Sequence, residues 1–235
     1  MFKDYFKEYI VLSENTIYLK VKAKTGPSYP TKIPLSLTNE LAFLIGIILG
    51  DGHLTKNKKR IALEMSNSEI VYSTKKLFEL LFGIRLTIHQ RQDKRPNRKL
   101  RYYFYVYNSM IYHLFNKIGV PIGNKSRIIS VPDLIKKSSE VVRKSFLLGV
   151  FCAEGGKRRW RYYGLSSSSR EFRDDVVNLL KSIGIDVKKD KWLYKKYKKE
   201  YFGLYFEKES LKTLRECRSG QTGRILNRLQ KLLEV

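Results

Sequence analysis

The sequence predicts an α+β fold made of two related halves, and three observations carry that prediction. An apolar stretch ending in an acid, Leu44-Ile45-Gly46-Ile47-Ile48-Leu49-Gly50-Asp51-Gly52, recurs as Leu147-Leu148-Gly149-Val150-Phe151-Cys152-Ala153-Glu154-Gly155. Strand-like alternation of apolar and polar residues accompanies each copy. Weaker echoes keep one offset of about a hundred positions: Gly83-Ile84-Arg85-Leu86 with Gly184-Ile185-Asp186-Val187, and Ser66-Asn67-Ser68 with Ser167-Ser168-Ser169. Each half reads as αββαββα. The expected organisation is an extension over 1–37, a first half over 38–118, a connector over 119–138, a second half over 139–214 and a basic helix over 215–235.

In the extension, Ile17, Leu19 and Val21 alternate with Tyr18, Lys20 and Lys22 as in a half-buried strand, and Gly26-Pro27-Ser28-Tyr29-Pro30 breaks the pattern. Packing against the body and a DNA-contacting arm are both open for it. Thr38 is an N-cap candidate with Glu40 in the first turn, so the first helix should run from Asn39 to the Gly50–Gly52 break. Arg60 to Ser66 reads as a strand with Ile61, Leu63 and Met65 on one face and Arg60, Glu64 and Ser66 on the other. Ser68 to Phe82 has helical periodicity that Gly83 should terminate. Two basic strands should follow. Ile84 to Arg91 puts Arg85, Thr87, His89 and Arg91 on one face, and Lys99 to Tyr107 puts Lys99, Arg101, Tyr103 and Tyr105 on one face, with a turn over Asp93–Asn97 between them.

A short helix, Ser109 to Ile118, should close the first half. The connector is rich in Gly, Pro and Ser, and Ser139-Glu140 should start the second motif helix. In the second half the expected polar faces hold Arg159, Arg161 and Tyr163, then Lys188, Asp190 and Trp192, then Tyr201 and Tyr205. Lys195, Lys196, Lys198 and Lys199 accompany two tyrosines in an expected hairpin turn, where phosphate contact and solubility explain them equally well. Arg224 to Leu233 reads as a basic amphipathic helix.

The acids ending the two apolar helices stand where a helix disfavours them. A helix C-terminus carries partial negative charge, so Asp51 or Glu154 there costs roughly 0.3–1 kcal/mol, and a second carboxylate adds repulsion. A compensating cation is required, and carboxylate oxygens suit a hard divalent ion such as Mg²⁺. Small residues four apart, Gly46 with Gly50 and Gly149 with Ala153, would let the two helices approach closely.

Composition narrows the partner. With 47 Lys+Arg against 22 Asp+Glu the net charge is +25, which points to a polyanion. Nucleic acid fits better than a membrane surface, because the charge is spread along the chain among 16 Tyr and 12 Phe and is not gathered on one amphipathic helix. Cys152 and Cys217 are the only cysteines, so no disulfide framework is expected and the compartment should be reducing. The longest apolar run is about half a membrane span, and no signal-peptide pattern is present; an intracellular protein is expected.

The two motif helices, their spacing and the αββαββα order resemble the LAGLIDADG homing endonucleases, over roughly 38–214. The connector Gly119-Val120-Pro121 with Gly123-Asn124-Lys125-Ser126 and Val131-Pro132 is similar to the linker of monomeric, two-motif members. The resemblance implies two pseudo-symmetric halves whose sheets form a DNA-binding saddle, with the motif helices packed at its centre. It further implies Asp51 and Glu154 as metal ligands, the carbonyls of Gly50 and Ala153 assisting, Mg²⁺ or Mn²⁺ as cofactor and double-stranded DNA as partner. Lys157 resembles a basic residue near the active site of family members, although the run Lys157-Arg158-Arg159 equally suits phosphate contacts. Ser66 and Ser167 fall where the family often carries an amide residue.

The activity implied is site-specific double-strand cleavage of a long asymmetric target by a monomer. The expected DNA-contacting residues are Arg60, Ser66, Arg85, Thr87, His89, Arg91, Lys99, Arg101, Tyr103, Arg159, Arg161, Tyr163, Ser167, Lys188 and Trp192. The alternative is a non-cleaving binder of the same fold, an RNA-splicing maturase or a DNA-binding regulator. Met1 and the ending Leu233-Glu234-Val235 lack intein end residues, so a free-standing, intron-encoded nuclease is expected.

Overall fold

Thr38 accepts a hydrogen bond from Leu41 N–H through its hydroxyl at 3.2 Å and so caps α1, which spans Asn39–Gly50. All ten residues from Leu41 to Gly50 are buried, so this helix is core on every side. The structure, a computed structural model, describes residues 2–215 apart from 8, 25–28, 93–95, 97, 159–160 and 196–197. The expected C-terminal basic helix and most of the Asp93–Asn97 turn lie outside these residues, as does the Arg159 position.

Ahead of α1, β1 (Ile10–Glu14), β2 (Tyr18–Lys22) and β3 (Thr31–Pro34) form an antiparallel three-stranded sheet. Leu19, Val21 and Ile33 are its buried face, whereas Ile17 stays 66% exposed ahead of β2. The extension is packed onto the first half: Phe2 and Phe6 are buried, Asn108 Nδ2 donates to Thr31 Oγ1 at 2.7 Å, and Lys117 Nζ donates to the Tyr5 carbonyl at 3.1 Å.

After α1 come β4 (Gly52–Thr55), β5 (Arg60–Met65), α2 (Ser68–Phe82), β6 (His89–Arg91), β7 (Arg101–Val106) and α3 (Ser109–Ile118). Asn67 caps α2 through its side chain, and Gly83 ends it at φ +65°, a conformation that glycine adopts without penalty. The strands order as β4-β5-β7-β6, all antiparallel. Two expectations need correction. The strand expected over Ile84 to Arg91 pairs only at His89–Arg91, so Arg85 and Thr87 are exposed on an unpaired lead-in; Lys99 likewise precedes β7.

The second half repeats the plan with α5 (Glu140–Glu154), β8 (Gly156–Arg158), β9 (Tyr162–Ser167), α6 (Arg170–Ser182), β10 (Lys188–Tyr194) and β11 (Lys199–Glu207), ordered β10-β11-β9-β8. The short strands β4 and β8, each starting on a glycine just after its motif helix, were not separately legible. The connector holds one short helix, α4 (Asp133–Lys136), and is pinned at several points. Gly123 N–H donates to the Leu54 carbonyl at 2.8 Å, Ser169 Oγ to the Ile129 carbonyl at 2.6 Å, and Val131 N–H to Asp175 Oδ2 at 2.9 Å. No helix among the described residues is long and apolar enough to cross a membrane.

Candidate functional site: two motif ends and a connector lysine

The centre of the molecule is the packing of α1 against α5, and glycines permit it. A Cβ on Gly46 would strike the Phe146 carbonyl oxygen and lie 2.9 Å from Val150 N; one on Gly149 would strike the Phe43 carbonyl and lie 3.0 Å from Ile47 N. A Cβ on Gly50 would collide with that of Ala153 and lie 3.2 Å from Glu154 Cγ. The backbones therefore touch through their glycines, and the helices end side by side with Asp51 and Glu154 facing one recess.

That recess is a cavity of about 400 Å³, lined by Asp51, His53, Asn124, Lys125, Glu154, Ser166, Ser167, Ser168 and Tyr201 among others. Desolvation raises both carboxyls above the ordinary range, and the Asp51 charge raises Glu154 further. Lys125 opposes the rise at both, and Arg101 also opposes it at Asp51.

The residue missed by sequence reasoning is Lys125. The last carbonyls of a helix lack intrahelical partners. Here Lys125 Nζ donates to the carbonyls of Ile48, Leu49 and Gly50, each at 2.6 Å, so one ammonium satisfies the end of α1. Part of the positive charge that the motif acids demanded is thus covalent to the chain. Desolvation lowers the Lys125 pKa to about 8 against the pull of Glu154 and Asp51. The signal was present in Gly123-Asn124-Lys125-Ser126, which reads as a linker until the fold brings it under α1. The Gly50 carbonyl, expected to face a metal, accepts from this lysine.

Other assignments change with the register. Lys157 is exposed on β8 and does not line the recess. It pairs with Tyr163, which pairs in turn with buried Phe206, so Lys157 stands in register with the core side of the sheet. Tyr163 is only 5% exposed, and its hydroxyl donates to the Phe151 carbonyl at 3.4 Å. A one-residue slip in the expected strand reverses its faces. The outward residues are Arg158 and Tyr162, with the Arg158 guanidinium 5.3 Å from the Trp192 ring and the Lys188 ammonium 5.5 Å from the Tyr162 ring. Arg161 occupies the turn before β9, exposed. Ser66 is exposed at the end of β5 away from the recess, whereas Ser167 lines it and accepts from Ser169 N–H at 3.1 Å.

The first sheet's polar face holds the expected Arg60, His89, Arg91, Arg101 and Tyr103. Glu64 organises it, accepting from Arg91 at 2.8 Å and from Arg101 Nε at 3.4 Å. His89 stacks on Tyr103 at 5.3 Å, and Arg60 lies 4.0 Å from the Tyr105 ring while donating to the Tyr107 hydroxyl at 2.8 Å. Burial, Lys125 and Arg60 push the His53 pKa down, with Glu64 opposing.

Two apposed helices, each with an acid at its C-terminal end, and two antiparallel sheets with arginine, lysine and aromatic faces define a pseudo-symmetric α+β class. The chain belongs to the LAGLIDADG-like domain family, which it matches over residues 38–119 and 142–217. Its fold is similar to the homing endonuclease I-DmoI in complex with DNA and Ca (TM-score 0.57, 14% identity, 84% of this chain and 98% of that one). It is also similar to I-WcaI bound to its DNA recognition sequence (0.50, 16%, 81% and 87%) and to WhiA from Thermatoga maritima (0.52, 15%, 86% and 63%). By sequence it is 32% identical over 150 residues to the replication factor C small subunit of Methanocaldococcus jannaschii, matching 60% of this chain and 8% of that protein. It is 27% identical over 173 residues to the tRNA-splicing ligase RtcB of Methanopyrus kandleri, matching 62% and 17%. The match thus spans a small part of these longer relatives.

Proposed function

We infer that the chain is a divalent-metal-dependent endonuclease that hydrolyses one phosphodiester bond in each strand of a long, asymmetric duplex DNA site. The observation that carries this reading is the convergence of Asp51, Glu154 and Lys125 in one recess between two basic sheets.

The donor set fits a hard divalent ion. Among the described residues no group of three or more His, Cys, Asp or Glu is arranged to hold a metal ion, so the recess would offer two carboxylates and leave the other positions to phosphate oxygens and water. That is how Mg²⁺ is held at phosphoryl-transfer centres, and Mn²⁺ accepts the same oxygens. Such an ion, held by Asp51 and Glu154, would neutralise charge on the scissile phosphate and lower the pKa of the attacking water. The chain's own residues do the rest. Lys125 Nζ is an ammonium at neutral pH and sets a fixed positive charge beside the oxygens that gain charge in the transition state. Asn124, Ser166 and Ser167 offer hydrogen bonds to water in the recess. The arginine and aromatic faces hold the duplex, with base edges within reach of the ribbons in the major groove. Arg158, on the outward face of the second sheet, offers a phosphate contact, whereas Lys157 stands on the other side of β8.

One chain carries both acids, so a monomer suffices, and its two unlike sheets suit an asymmetric target. The reading makes this an intracellular, intron-encoded protein whose target would be spelled by the exon sequences flanking that intron. The test is incubation of purified protein with a library of duplexes, with Mg²⁺ and then with EDTA. Double-strand breaks that require Mg²⁺ and vanish in Asp51→Asn support the reading. Tight duplex binding with no break under either condition overturns cleavage in favour of a non-cleaving binder.

A further inference from the structure

The N-terminal sheet lies outside the segments that match the family, yet its outward face is built like the DNA-contacting ones. Its register puts Tyr18, Lys20 and Lys22 on the side opposite buried Leu19 and Val21. Lys20 pairs with Lys32 across β2 and β3, and the Lys32 ammonium lies 5.0 Å from the Tyr18 ring, so these groups share one surface. On β1, Ser13 and Ile10 pair with Lys20 and Lys22, adding no acid to that side. Glu14 pairs with Leu19 and is bound by Lys3 at 2.7 Å. Among the described residues, Lys20, Lys22 and Lys32 form no ion pair. Three like charges on one small face repel each other, and a rigidly docked sheet that keeps them there is suited to an anionic partner.

The position of the face points to which anion. The Lys32 stem packs over Gly83, where a Cβ would meet its Cγ and Cδ at 3.5 Å. Gly83 opens the exposed lead-in that carries Arg85, Thr87 and then His89 onto the first sheet. The lysine face is therefore the outward continuation of the basic track that ends in β6, the edge strand farthest from β4. We propose that the exposed face of the β1–β3 sheet, through Lys20, Lys22 and Lys32, binds the phosphate backbone of duplex DNA flanking the segment held by the two main sheets, extending the footprint at the first half's outer end. This rests on the duplex-binding part of the proposed function. The contacts are to phosphates, so they carry affinity and salt dependence and no base preference.

The test compares wild type, Lys20→Ala/Lys22→Ala/Lys32→Ala and a control of equal net charge, Lys76→Ala/Lys137→Ala/Lys181→Ala, whose positions are exposed elsewhere. Binding to a 40-bp random-sequence duplex in EDTA is followed by fluorescence anisotropy from 50 to 300 mM salt, with thermal melts checking that each variant is folded. Three lost phosphate contacts make the slope of log affinity against log salt shallower by about 2–3. The proposal expects that change in the first triple variant alone, together with a shorter hydroxyl-radical footprint on one side. Equal slopes and footprints in the two triple variants overturn it, including the case in which the face serves another polyanion. A Lys→Gln version replaces any alanine variant that fails to fold, with the same two outcomes. Wild type lacking any salt-dependent duplex binding would instead remove the function on which the proposal rests.

Discussion

The Lys125 ammonium sits 2.6 Å from the Gly50 carbonyl oxygen and joins the connector to the end of the first motif helix, one residue before Asp51. It compensates the helix end and the acid pair together. Lys125→Met should therefore lower the rate of DNA cleavage by about 10²–10³-fold, the usual cost of deleting a preorganised positive donor at a developing oxyanion. Duplex affinity in EDTA should change little. Single-turnover cleavage beside anisotropy separates the two; an equal loss in both would make Lys125 a binding residue.

The raised carboxyls give a sign for stability. A group whose pKa is raised on folding costs stability once pH exceeds its unfolded value, so ionised Asp51 and Glu154 burden the metal-free protein at neutral pH. Asp51→Asn or Glu154→Gln should leave Tm in EDTA unchanged or raise it by up to about 2–4 °C, the equivalent of ~1 kcal/mol after allowance for the open side of the recess. Cleavage should fall below detection. A lowered Tm in EDTA would mean the acids are structural.

Lys125 predicts a second pH window. Its pKa is lowered to about 8, so between about pH 8 and the usual lysine value the unfolded chain holds a proton that the folded one has shed. Stability at this position should rise as pH rises through that window, by a few kcal/mol at most. Urea unfolding of wild type and Lys125→Met at pH 7.5 and 9.5 isolates the effect, since only wild type should show this component.

Close approach of α1 and α5 makes Gly46 and Gly149 intolerant. Gly46→Ala or Gly149→Ala should cost at least about 2 kcal/mol, because backbone on the facing helix cannot yield, and cleavage should fall as the acids separate. Gly156→Ala, with open space around its Cβ position, should change unfolding free energy by less than ~1 kcal/mol. Denaturant titration of the three variants distinguishes them.

The adjacent tyrosines of β9 test the faces of the second sheet. Tyr163→Ala removes a ring buried against Phe151 and Phe206 and should cost about 3 kcal/mol of stability. Tyr162→Ala should leave Tm nearly unchanged and weaken duplex binding severalfold. The reverse pattern would restore the register expected from the sequence.

The paired motif helices were legible because each writes its apolar run, small-residue spacing and terminal acid within one short stretch, and α2 was readable from Ser68 to Gly83 for the same local reason. Tyr163 was misplaced because Arg161-Tyr162-Tyr163 is polar or amphipathic at every position, and only the cross-strand partners Phe206 and Lys157 decide which ring points inward. The recess was half legible. Its acids belong to a pattern that repeats, whereas Lys125 belongs to a connector with no helical or strand period, and its significance arises only from tertiary proximity to three carbonyls far earlier in the chain. Glu64, expected only on the polar face of its strand, is the acceptor that holds Arg91 and Arg101 in place.

Lys125 occurs once, on the single segment joining the halves. At the end of α5 the Tyr163 hydroxyl, a neutral donor, meets the Phe151 carbonyl instead. The pseudo-two-fold axis therefore runs through a site that does not obey it. Under the proposed function the two strands of a duplex would meet unlike surroundings, one beside a fixed ammonium and one without it. Cleavage of the kind proposed above would then run at unequal rates on the two strands.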